Sequence, residues 1–232
     1  MNILVPSWFY GFDSFVYLLS ALVGFTLSLY FHKIHSLSSI RRHEYFYFGF
    51  LLFSIGLFIL AVSSVYSYVS YEGCTVGCKL GILDDTFSME DFAYMMYFGF
   101  SLLAYLMFIF AYEHEDVRLS KIFALLFIAY LILISLLLAM QRSYKIWHSY
   151  SEYFHLTALM MLVFISFRAL TNFYDKRNLN SFLVVMSFGL IAGFHLFYLF
   201  SSVDALVYVI AHGSMLAGFI TLLAMVATVR KK

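Results

Sequence analysis

Ser151, Glu152 and His155 lie three, four and seven residues after His148 inside the apolar stretch WHSYSEYFHLTALMMLVFISFRAL, residues 147–170. On a helix these positions form one polar stripe. Imidazole, carboxylate and hydroxyl groups on one face suit metal ligation, proton transfer or interhelical hydrogen bonding. Ionisable groups on a membrane helix are costly and normally face the bundle interior or a water-filled cavity.

Two more histidines share the depth of His155. His155 lies eight residues after Trp147, His195 seven residues before Ser202, and His212 eight residues after Asp204. At the helical rise these are depths of about 10–12 Å from one membrane boundary. Rows of polar residues accompany them. Asp204, Tyr208 and His212 make one row, and His195, Tyr198 and Ser202 another; Tyr94, Tyr97, Ser101 and Tyr105 form a third, and Asp13, Tyr17 and Ser20 a fourth. Such converging rows outline a polar pocket open to the outside.

Three chemistries compete for these histidines. Each imidazole can bond a Tyr, Ser or carboxylate on a neighbouring helix, a contact of about 0.5–2 kcal/mol. Alternatively, His155, His195 and His212 hold one transition metal, with Ser151, Glu152 and Asp204 as catalytic or supporting groups and Tyr97, Tyr198 and Tyr208 contacting the bound species. Three histidines and an open position suit zinc and water activation, whereas nearby Met95, Met96 and Met140 favour copper. In the third chemistry, His155 and His212 clasp a b-type haem across the bundle, because His195 and His212 sit on helices too closely joined to admit the ring. His32, His35, His43 and His114 read as solvated residues at helix ends. The segment EHEDVR, residues 113–118, reads as a solvated charged turn.

The elements that must position these groups are membrane helices. The 232 residues are 63% hydrophobic and 12% charged, outside the range of soluble domains, with a formal net charge of only +1 that gives no basic field for nucleic acid. A span needs about 20 mostly apolar residues. On that basis seven segments emerge, at 14–34, 45–68, 92–112, 120–140, 148–170, 180–201 and 205–228. The expected fold is an all-α seven-transmembrane-helix bundle in one domain, residues 1–232, in the cell membrane. MNILVPSWFYGFD has no basic n-region or small-residue cleavage site, so no removable signal peptide is expected.

Eleven of the fourteen Lys and Arg residues fall on one side of this topology, against Lys79, Arg142 and Lys145 on the other. The bias predicts the N-terminus outside and the C-terminus cytoplasmic. The acidic loop at about 70–90 is then external, where Cys74 and Cys78 can close a small disulfide.

Ser151–His155, an S-x-x-x-H, is similar to a motif of the metal-dependent membrane hydrolases that include alkaline ceramidases and adiponectin receptors. That family carries H-x-x-x-H on its last helix, where His212 here stands alone, and the chain is assigned to no family. The last span has no lysine to form a Schiff base, which argues against a microbial rhodopsin. The expected function is a membrane metalloprotein with hydrolytic or redox chemistry on a lipid or small molecule. Its rivals are a ligand-binding sensor or accessory subunit acting through a cytoplasmic partner protein, and a haem-bearing electron-transfer subunit.

Overall fold

The computed structural model describes residues 9, 11–73, 89–113 and 146–230. Among them are six helices and no strand: α1 (Phe12–Ser38), α2 (Arg41–Gly73), α3 (Met89–Glu113), α4 (Ile146–Lys176), α5 (Leu179–Leu199) and α6 (Ala205–Arg230). Each contains a stretch long and apolar enough to cross a bilayer, the pattern of a multi-pass membrane protein. Six expected spans fall on these helices. The expected fourth span, 120–140, lies outside the described residues, as do Cys74, Cys78, His114 and the rest of the charged turn after Glu113.

Local signals set the helix ends. The Asn178 side chain accepts from Ser181 N at 2.8 Å, and Asp204 Oδ1 accepts from Leu206 N at 2.8 Å, each satisfying a first-turn N–H that has no intrahelical partner. Helix α1 closes through Ser39 at φ 54° and α4 through Arg177 at φ 44°. Both are left-handed residues whose N–H groups bond back to the carbonyls of His35 and Phe173.

The helices pack in a ring, each against the next in chain order, and α6 closes on α1. Their directions follow from paired residues. Tyr105 meets His195 and Phe108 meets Phe188, so α3 and α5 are antiparallel. His155 meets His195 and Phe173 meets Phe182, so α4 and α5 are antiparallel too. Helices α3 and α4 therefore run the same way, and the end of α3 lies at the opposite face of the bundle from the start of α4. Likewise α1 and α6 are parallel, with Asp13 beside Tyr208 and Tyr17 beside His212.

Apolar side chains point both ways, as a membrane protein requires. Leu29, Phe167 and Ile220 face outward, while Phe50, Phe53, Phe108, Phe188 and Phe219 fill the interior. Phe53 and Phe219 stack at 5.4 Å across the ring. Helices α5 and α6 approach closely at Gly218, where a Cβ would lie 2.8 Å from Ile191 and 3.0 Å from the Ser187 carbonyl oxygen. Small residues at such crossings let membrane helices gain packing contact.

Candidate functional site

His155, His195 and His212 come from α4, α5 and α6 and are all buried, His195 and His212 completely. They occupy one layer, but they do not converge on one point. His155 Nδ1 lies 2.9 Å from His195 Nδ1, and His195 Nε2 lies 2.8 Å from the Tyr105 hydroxyl. Three helices, α3, α4 and α5, are joined by this chain. In one proton placement Tyr105 donates to His195 Nε2, His195 Nδ1–H donates to His155 Nδ1, and His155 carries its own proton on Nε2. The reverse placement strands the Tyr105 hydroxyl proton among the described residues.

His212 belongs to a second assembly. Its Nδ1 donates to the Tyr208 carbonyl oxygen at 2.8 Å, and because a carbonyl only accepts, the tautomer is fixed. Its Nε2 then accepts from the Tyr17 hydroxyl at 2.7 Å. One turn toward the helix starts, the Tyr208 hydroxyl donates to Asp13 Oδ2 at 3.2 Å, and Ser64 of α2 donates to Asp13 Oδ1 at 3.4 Å. Ser14 donates to Ser64 at 2.7 Å. Helices α1, α2 and α6 are tied at this place.

Two aromatic rings separate the assemblies. Phe194 lies 5.6 Å from His155 and 5.8 Å from His212. Tyr198 stacks flat on His155 at 4.0 Å and stands 6.2 Å from His212. No group of three His, Cys, Asp or Glu side chains able to hold a metal ion occurs among the described residues. Haem does not fit this arrangement. The 2.9 Å contact leaves no gap between His155 and His195, and a ring between His155 and His212 would have to displace both Phe194 and Tyr198.

The remaining expected site residues are scattered. Ser151 is half-buried and Glu152 exposed in the early turns of α4, while Asp204 is exposed and caps α6. The expected row Asp204–Tyr208–His212 is thus divided, its Tyr208 hydroxyl bonding Asp13 instead. Tyr198 and Tyr208 flank the histidines, whereas the buried Tyr97 hydroxyl and Ser101 Oγ, one turn on, bond none of these histidines among the described residues. Met95 and Met96 are exposed.

Outside this layer, His35 Nδ1 lies 3.1 Å from the Ile40 carbonyl oxygen and His43 Nδ1 2.9 Å from Ser38 Oγ, so both fasten the α1–α2 turn. Comparison with family models, with curated proteins and with solved structures finds no match for this chain.

Proposed function

We propose that the chain is a seven-span membrane sensor or accessory subunit, in which the buried histidines act as joints between helices. The observation that carries this reading is that His195 and His212 have both ring nitrogens engaged by other protein groups. An imidazole so engaged stabilises an interhelical contact and has no lone pair left for an external ligand. The seventh crossing is assigned to residues 120–140, because α3 and α4 run parallel and the chain joining them must return across the bundle. The bias of the basic residues supports an N-terminus outside and a C-terminus in the cytoplasm in this reading. The cell membrane is the proposed location, and the cytoplasmic partner protein would read changes in packing around the ring.

A metal centre is the second reading, favoured by one distance. Two imidazoles on a tetrahedral zinc, each at about 2.0–2.1 Å, hold their nitrogens about 3.3 Å apart. The His155 and His195 Nδ1 atoms are already 2.9 Å apart. Replacing the shared proton by zinc or copper would need a small outward shift of both rings. His212 would have to give up its Tyr17 bond to join as third ligand through Nε2.

Elemental analysis and an absorption spectrum of detergent-purified protein that has never met a nickel column decide between the readings. The joint reading expects no stoichiometric metal and no Soret band. About one equivalent of zinc or copper, lost in both His155→Ala and His195→Ala, would overturn it.

A further inference from the structure

Every Lys and Arg among the described residues lies toward one end of the bundle. Lys33, Arg41 and Arg42 surround the α1–α2 turn, Arg168, Lys176 and Arg177 lead into or form the α4–α5 turn, and Arg230 ends α6. Among the described residues the other end carries acids, Asp13, Glu152 and Asp204 among them, and no Lys or Arg, whereas Glu44 and Asp175 share the basic end.

Lys33, Arg41, Arg42, Lys176 and Arg177 make no ion pair among the described residues. Arg42 is held in place by rings instead, 5.0 Å over Tyr112 and 5.8 Å over Phe46. That contact and a hydrogen bond to the Tyr112 side chain hold the guanidinium at the turn, and its remaining N–H groups are donors for an anion.

Depth identifies the anion. Helix α1 has 27 residues, about 40 Å at the helical rise, close to the 40–45 Å of a bilayer with its headgroups. The turn that follows, Ser39 and Ile40, therefore sits at headgroup level. Large apolar side chains flank the cations there. Leu37 is 80% exposed, Ile40 50% and, at the other turn, Leu179 62%. A cation beside an exposed apolar side chain matches a ligand with a phosphate joined to acyl chains. A free anion would leave the apolar residues uncovered.

We propose that the α1–α2 and α4–α5 turns are binding sites for anionic phospholipids. Arg41, Arg42, Lys176 and Arg177 contact the phosphate, and Leu37, Ile40 and Leu179 contact the first acyl carbons. The full chain is titrated with dioleoyl phosphatidylglycerol or dioleoyl phosphatidylcholine in mixed micelles, and bound lipid is counted by native mass spectrometry. The wild type should retain phosphatidylglycerol at least tenfold better. Each of the pairs Arg41→Gln with Arg42→Gln and Lys176→Gln with Arg177→Gln should weaken one site about thirtyfold. Arg41→Lys with Arg42→Lys, which keeps the charge, should retain the preference and show that neutralisation rather than misfolding removed it. Equal retention of both lipids, or an undiminished preference in the two Gln pairs combined, overturns the proposal. Displacement of phosphatidylglycerol by millimolar inorganic phosphate would assign the sites to a free anion and overturn it as well.

Discussion

The two buried assemblies use the same side chain in different ways. His212 is held by a carbonyl that fixes its tautomer and a phenol that fills its other nitrogen. His155 and His195 face each other nitrogen to nitrogen, so a single proton serves both. The first arrangement is closed, because each group has one possible role. The second is conditional, because its bond depends on which ring carries the shared proton. A cation or an extra proton meets a satisfied group at His212 and a replaceable proton between His155 and His195. Any response of this bundle to small ions is therefore expected at the junction of α3, α4 and α5, while the junction of α1, α2 and α6 stays rigid.

The largest expected effect tests the conditional assembly. His195→Ala removes the bonds to Tyr105 and His155 and leaves a ring-sized void among aromatic neighbours. Destabilisation of about 4 kcal/mol is expected in reversible unfolding from detergent micelles. A change below about 1 kcal/mol would break the description of His195 as the residue joining three helices. The closed assembly should respond less to a smaller cut. Tyr17→Phe keeps the ring but leaves His212 Nε2 without its donor, and about 1–2 kcal/mol should be lost. Nitrogen-15 NMR of labelled histidine sharpens the contrast: His212 should remain protonated at Nδ1 in wild type and Tyr17→Phe alike, and an Nε2–H tautomer would contradict the carbonyl contact. The smallest effect belongs outside both assemblies. Asp204→Ala should reduce stability by about 1 kcal/mol through loss of the α6 cap, leaving the His212 resonances in place. A displaced His212 signal would return Asp204 to the row with Tyr208.

Much of this arrangement is legible in the sequence because depth and direction are one-dimensional properties. Apolar run lengths locate α1 to α6 within a few residues, and counting from the boundaries puts three histidines in one layer. Rotation about each helix axis is different, because it depends on which side chains meet across an interface. Asp204 and Asp13 stand at the same end of the membrane, and periodicity aligns Asp204 with Tyr208 along α6. The structure turns Tyr208 toward α1 and engages Asp204 with its own helix start. Tyr97 and Tyr105 share one face of α3, yet only Tyr105 reaches a histidine, because Tyr97 packs against Phe154. Likewise, Phe194 between the histidines reads in the sequence as one more apolar residue in an aromatic-rich helix. Its place decides that two histidines meet and the third does not.

The parallel packing of α1 on α6 carries a mechanical consequence. Asp13 to Tyr208 and Tyr17 to His212 are rungs at a constant offset, one helical turn apart on both helices. A slide by one turn, about 5.4 Å, would bring Asp13 level with His212 and leave Tyr17 and Tyr208 without these partners. A slide the other way would set phenol against phenol and take the Tyr208 donor from the carboxylate. Unlike rungs thus make this pair of helices a keyed joint with a single register. Motion in the ring has to come from tilting or rotation of its other members, with α1 and α6 travelling as one body.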